Sequence, residues 1–282
     1  MSLGLWRDAR AALAADRFAL GCLAVLATLG VAAIAGPWLL DYREDEIDWA
    51  NMAVPPLASP GHWLGTDRLG RDVLVRTLHG LRVSLAIALA ATLVAVVIGV
   101  AWGAFAGYRR GRTDALMMRF VDVLYSLPQV FFVIILTVVF GRSPLTVLLA
   151  IGAFGWLTMA RIVRGQAMAL REREFIDAAI VGGATPARIV VRHVIPNLAG
   201  PVIVYATLTL PQVILVESFL SFLGIGIQEP LASLGNLVAE GAAEMETAPW
   251  MLAVPAACLM LVVFCFNFLG DSLRDALDPR DR

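Results

Sequence analysis

Six stretches of this chain are each long and apolar enough to cross a lipid bilayer as a helix. A spanning helix needs about 20 mainly apolar residues, because it rises about 1.5 Å per residue across a hydrocarbon layer about 30 Å thick. The stretches run from about Phe18 to Leu40, Ser84 to Tyr108, Met117 to Phe140, Leu145 to Val163, Pro196 to Leu223 and Trp250 to Leu269. The turn Gly141-Arg142-Ser143-Pro144 separates the third from the fourth. Composition agrees: 59% of the 282 residues are hydrophobic and 16% charged, against about 45–50% and about 25% in soluble domains. The surplus apolar surface must face lipid. The expected fold class is an all-α integral membrane protein with six transmembrane helices.

Arginine placement orients the bundle, since cytoplasmic loops are enriched in Lys and Arg. The 22 basic residues are all arginine. With the N-terminus inside, 16 of them fall on the cytoplasmic side, including Arg7, Arg10, Arg173, Arg280 and Arg282, and 6 fall outside. Both termini are therefore expected in the cytoplasm. Ala33-Ile34-Ala35 resembles a small-residue cleavage site, but the apolar run before it is longer than a signal-peptide core of about 7–15 residues, so the first helix is expected to be retained. The expected organisation is a cytoplasmic segment over 1–17, a first membrane helix over 18–40, an extracytoplasmic loop over 41–83, a core of five further spans over 84–270, and a cytoplasmic tail over 271–282.

Several function classes fall away. A net charge of −1 creates no field that would gather nucleic acid. Cys22, Cys258 and Cys265 lie singly in apolar segments and read as small buried hydrophobes. His62, His79 and His193 are scattered, with no HExxH or CxxC spacing to hold a metal. A phosphate-binding Gly-x4-Gly-Lys-Ser/Thr loop needs a lysine, and the chain has none, so any ATP must be hydrolysed by another polypeptide. An intramembrane protease is unsupported: no histidine lies in a span to activate a serine, and Phe268 stands where a Gly-x-Gly-Asp pattern needs glycine.

Some residues invite a role. Ala91, Ala95, Gly99, Gly103 and Gly107 recur every four residues on one face of the second span, where small side chains let another helix backbone approach closely. Glu217, a charge inside the fifth span, reads either as a polar wall of a path, with Gln212 and Ser221, or as a buried carboxylate bonded to neighbouring helices. Asp122, near the inner interface, is placed to pair with Arg119 at i,i+3. The run Asp41, Glu44, Asp45, Glu46 and Asp48 reads as a solvated acidic face, and Pro55-Pro56 and Ser59-Pro60-Gly61 mark turns beside it.

The inner loop is the most informative segment. Phe175, Ile176, Ala179 and Ile180 make a short apolar helical stripe. Gly182-Gly183 breaks that helix, Thr185 suits an N-cap, and Pro186 suits the first position of a second short helix carrying Arg188 and Arg192. Such a pair is either an amphipathic connector lying on lipid or a rigid knob that docks in a partner's groove.

Asp177-Ala178-Ala179, three residues, Gly183, then nine residues to His193-Val194-Ile195-Pro196 resembles the EAA loop of bacterial ABC importer permeases, whose pattern is Glu-Ala-Ala-x3-Gly-x9-Ile-x-Leu-Pro. Asp177, His193 and Ile195 depart from it, while charge and the glycine and proline spacing survive. His62-Trp63-Leu64-Gly65-Thr66-Asp67 with Leu69-Gly70-Arg71-Asp72, and Glu217 through Gly224, resemble segments of the C-type permeases of peptide and nickel importers. The tail, Phe266 through Asp271 and Leu273 through Pro279, looks most like that of the oligopeptide permeases. The resemblance implies a type I ABC importer permease fold with a cytoplasmic coupling helix between helices four and five, in the bacterial inner membrane. It implies a homologous B-type permease partner, two cytoplasmic ATPase subunits that bind ATP and Mg, and an extracytoplasmic peptide-binding protein. This chain itself would hold no cofactor. Asp177, Ala178, Ala179 and Gly183 carry over as coupling residues, flanked by Phe175 and Arg188 on the same two helices. Dipeptide and nickel importers share the architecture. A stand-alone secondary transporter would explain the spans and Glu217, but not the pattern from Asp177 to Pro196.

Overall fold

The computed structural model describes residues 11–40, 42–229 and 231–277. Arg7, Arg10, Arg280 and Arg282 of the arginine count, Asp41 of the acidic run, and Asp278 and Pro279 of the tail pattern lie outside them. Among the described residues the regular structure is all helical, with one isolated bridge between Thr66 and Asp72 in the turns of 42–72. Its membrane-length helices are α1 (Arg17–Leu39), α2 (Val73–Arg109), α5 (Pro144–Arg171), α8 (Ala199–Phe222) and α10 (Trp250–Leu277). The shorter ones are α3 (Gly111–Tyr125), α4 (Gln129–Phe140), α6 (Glu174–Val181), α7 (Pro186–Ile189) and α9 (Leu234–Ala243).

The single span expected over Met117–Phe140 is a bent pair. α3 and α4 meet at 76°, and only together are they long and apolar enough to cross a membrane. Pro128 explains the break: it has no N–H to donate, and it pushes the preceding residue out of the helical region. Ser126 closes α3 by donating its hydroxyl to the Val123 carbonyl at 2.7 Å.

α2 starts at Val73 instead of near Ser84, so the expected loop over 41–83 is helical in its last part. Its 37 residues span about 55 Å at about 1.5 Å each. It therefore outruns the bilayer and stands in a cap built by 42–72. Asp72 is the N-cap and accepts from the Val75 N–H at 2.8 Å. Ser143 caps α5 in the same way, with Pro144 in the first turn.

α2 and α5 run parallel and share the tightest contact of the bundle. The small-residue face is the contact surface. A Cβ on Gly99 would lie 2.6 Å from Met159 Cβ, and one on Gly107 would lie 2.5 Å from the Arg164 carbonyl oxygen. One on Gly103 would overlap the Ala160 carbonyl. Backbone against backbone at this range is available only to residues without side chains. The core continues from Ala88, Ala91 and Ala95 through Ile151, Leu157, Ile214 and Leu220. α1 lies on the outside, its Phe18 ring 4.7 Å from that of Phe268 on α10, and Asp16 accepts from Ser272 at 2.9 Å. Its Gly36 faces Leu78 of α2. Cys22 and Cys265 are both buried between α1 and α10.

Candidate functional site

The bundle presents two worked ends: a helical knob where α2 and α5 finish, and the cap where α2 begins.

At the knob, α6 closes on a Schellman motif. Ala184 N–H donates to the Ala179 carbonyl at 3.0 Å and Gly183 N–H to that of Ile180 at 2.9 Å, with Gly183 at φ +78°. Thr185 then caps α7, accepting from the Arg188 N–H at 3.4 Å, and Pro186 opens it. A π-helical turn over Val190–Val194 and one turn over Ile195–Asn197 lead into α8. Ile176, Ile189, Val190, Val194 and Leu198 are buried against Ala104, Tyr108, Val163 and Ala167 of α2 and α5. The knob is thus seated on the glycine-packed pair. Of the expected stripe, Ile176 is buried and Ala179 half-buried, while Phe175 and Ile180 are exposed, as is the adjoining Val181, at 90%. Ala178, Asp177 and Arg188 are exposed as well, and Asp177 accepts from Arg171 at 3.2 Å.

Ion pairs tie α3 to this end. Arg164 forms a forked pair with the buried Asp114, at 2.5 and 2.6 Å. Arg161 donates to Asp122 at 2.8 Å and lies over the Tyr125 ring at 3.9 Å. Asp122 therefore pairs with α5, not with Arg119: the face of α3 that carries Asp114 and Met118 turns toward α5 and takes Asp122 with it. Arg110 bonds both the Met168 carbonyl and Glu172.

At the cap, the acidic run is worked into structure rather than uniformly solvated. Glu44 lies 2.7 Å from His79 of α2. Asp48 accepts from Asn51 at 2.7 Å and from the Ala50 N–H at 3.0 Å, and these bonds, Asn51 first, hold its carboxyl below the usual range. Behind it, buried His62 bonds Asp72 at 2.9 Å, and Asp67 takes both Arg71 (2.6 Å) and Arg76 (2.7 Å). Those arginines reach across to Glu229 (2.9 Å) and Glu240 (2.7 Å). Burial disfavours the Arg71 charge, but Asp67 and Glu229 more than offset it and raise its pKa. A crevice of about 490 Å³ runs between the two sides, lined by Met52, Asp67, Leu69, Arg71, Glu229 and Glu240. This network was not foreseen. Its residues are visible as alternating charges between Asp67 and Arg76, but their partners lie in a loop far along the chain.

Glu217, on the last turns of α8, is fully buried where α2, α8 and α9 converge. It accepts from Ser84 of α2 at 2.9 Å and from Ser221 at 2.8 Å. Ser84 accepts in turn from the Leu234 N–H at 3.2 Å, and the Ser233 and Ser221 hydroxyls lie 3.4 Å apart. Gln212 is exposed on the same helix, away from this cluster. Among the described residues no group of His, Cys, Asp and Glu could hold a metal.

Residues 95–282 match the family described as the inner membrane component of binding-protein-dependent transport systems. The chain belongs to that family, the permease subunits of ABC importers; it is a transport subunit, with the ATPase on a separate chain. Residues 4–60 match the N-terminal TM domain of oligopeptide transport permease C. The chain is 48% identical over 278 residues to the oligopeptide transport system permease protein OppC of Haemophilus influenzae, covering 99% of this chain and 89% of that protein. It is 50% identical over 278 residues to OppC of Escherichia coli K12, covering 99% and 92%. It is also 42% identical over 282 residues to the dipeptide transport system permease protein DppC of Bacillus subtilis, covering 100% and 88%. Among solved structures, a chain of the inward-facing MetNI methionine ABC transporter aligns with a TM-score of 0.55 at 21% identity, covering 71% of this chain and 95% of that one. That likeness establishes the type I permease fold.

Proposed function

We propose that this chain is the C-type permease of an ATP-driven importer and forms, with a homologous B-type permease, the path for oligopeptides across the bacterial inner membrane. The observation that carries the reading is the knob: an exposed apolar edge, Phe175–Ile180–Val181, on a base locked to α2 and α5. Phe175, Asp177, Ala178, Ala179, Gly183 and Arg188 are its coupling residues toward two cytoplasmic ATPases, which bind ATP and Mg. The knob end and both termini are cytoplasmic, in line with the arginine bias. The cap faces the other side and receives an extracytoplasmic peptide-binding protein. Of the three residues read as path candidates, Gln212 keeps an open face toward the path, and Glu217 with Ser221 braces the wall behind it. Full-length similarity to OppC proteins supports oligopeptides as cargo, and the similarity to DppC keeps dipeptides as the second reading.

Gentle purification of the chain from its membrane, with mass spectrometry of what accompanies it, tests this. A second permease and cytoplasmic ATPases are expected. A chain recovered without ATPases, even after cross-linking, refutes the importer reading. ATPase stimulation by the binding protein loaded with dipeptides or with longer peptides decides the cargo.

A further inference from the structure

Glu217 is buried in a membrane helix with no ion-pair partner among the described residues, and its residue type alone would be costly there. The geometry gives it work. Its two oxygens collect hydrogen bonds from α2 through Ser84 and from its own helix through Ser221. Each serine is also bound to the first turn of α9, Ser84 by the Leu234 N–H and Ser221 by the Ser233 hydroxyl. The backbones confirm how tightly the three elements meet. A Cβ on Gly80 of α2 would sit 3.0 Å from the Ser233 carbonyl carbon, and one on Gly235 would overlap Ser218 of α8. α9 itself starts on a reciprocal capping box between Ser233 and Asn236, so its first turn is rigid.

We propose that Glu217 is a positioning residue that makes α9, in the loop between α8 and α10, move as one body with α2 and α8. The inference rests on the importer reading. α8 begins at Ala199, directly after the knob, and ends beside Glu217. A displacement of the knob by the ATPases therefore reaches the cap along one continuous helix. Glu217 is where that displacement passes to α9, and through Glu240 to the arginines of the cap. Without the carboxylate, the two serine arms lose their common acceptor, and α9 keeps only the separate bonds of each serine and the Glu240 pair with Arg76.

The test uses the complete transporter with nitroxide labels at the exposed Phe222 of α8 and Ala243 of α9. In the otherwise unaltered protein a single narrow distance distribution is expected, the same with and without ATP. In Glu217→Ala it should broaden and become nucleotide-dependent. Peptide-stimulated ATPase should fall about tenfold, within the range of about 5- to 150-fold typical of coupling between sites. Glu217→Gln, which keeps one acceptor oxygen, should recover part of the stimulation. If Glu217→Ala fails to assemble, Ser84→Ala, which removes one arm, carries the test with the same labels. A narrow, nucleotide-independent distribution in the variants, or a wild-type distance that changes with ATP, overturns the proposal. Absence of peptide-stimulated ATPase in the wild-type complex instead counts against the importer reading.

Discussion

Gly183→Val probes the knob at its one conformationally demanding position. Gly183 sits at φ +78°, and a Cβ there would meet nothing within 4 Å. The substitution therefore causes no clash with another element; the whole effect is backbone strain. Holding a non-glycine residue in the left-handed region costs about 1–3 kcal/mol, and a β-branched residue lies at the upper end. The bundle does not depend on this turn, so insertion and assembly should be unaffected. What shifts is the equilibrium at the turn. At ~2 kcal/mol the ratio of closed to open turn falls about thirtyfold, and α6 holds Phe175 and Val181 less firmly at a fixed angle to α7. The assay is reconstituted transport: ATP hydrolysed per peptide imported should rise severalfold, with uptake falling and basal hydrolysis retained. Gly183→Asn is the internal control, because asparagine tolerates left-handed backbone, and it should lie close to wild type. Wild-type uptake by Gly183→Val would refute the reasoning.

The same logic reaches other elements. Gly103→Val places a Cβ against the Ala160 carbonyl and 2.9 Å from Val163 Cβ. Overpacking of about 1–3 kcal/mol or more is expected, read as a lower melting temperature in detergent, whereas Gly30→Ala, with nothing within 4 Å, should change stability by less than about 0.5 kcal/mol. Arg76→Met removes one of the two arginines that Asp67 and Glu240 share and leaves them Arg71 alone; the cost should stay below the about 3–5 kcal/mol of a fully broken buried pair, and hydrogen exchange should localise the loosening to the cap. Asp48 titrates below its ordinary value of 3.8 in the folded cap, so its contribution is full above that value and is lost as pH falls through the folded pKa. Acid should therefore speed exchange around Asn51, and Asp48→Asn should remove that pH dependence.

What could be read in the sequence was what local rules determine. The cap and break of the knob, Thr185, Pro186 and Gly183, are signals confined to neighbouring residues, and the structure places them as the sequence reading did. The four-residue spacing from Ala91 to Gly107 identified a contact face, although not its partner α5. The differences in helix boundaries share one cause. Hydropathy alone ran Met117 to Phe140 together, because Pro128 interrupts the backbone without interrupting the apolar run. It also ended the outer loop at Ser84, because the residues after Val73 include Arg76, His79 and Arg82. Their charges are satisfied or solvated in the cap, so a helix continues where a membrane span would not. Asp122 found Arg161, and Arg76 found Glu240, across distances in sequence that no spacing rule covers. Glu217 shows the limit most directly: its bond to Ser84, and the tie of Ser84 to the Leu234 N–H, join positions that no spacing rule connects.

The two kinds of contact in the bundle assign different mechanical parts to its helices. α2 and α5 touch through glycines, so any rotation between them would drive backbone atoms into overlap. Packed interiors of this kind do not deform continuously. The pair behaves as a strut, with the knob seated on one end and the cap on the other. α3 is joined to the same strut by the packing of Met118 and Val121 and by two ion pairs, Arg164 with Asp114 and Arg161 with Asp122, of which the Arg161 pair is substantially exposed. The Arg161 pair can exchange partners or water at little cost, since an exposed pair is worth about 0–1 kcal/mol. α3 also enters at two consecutive left-handed residues, Arg110 and Gly111, and leaves at Pro128, so both of its ends are backbone breaks. On the importer reading proposed above, a push on the knob would be carried by α2 and α5, and α3 and α4, whose ends are backbone breaks, would supply the give.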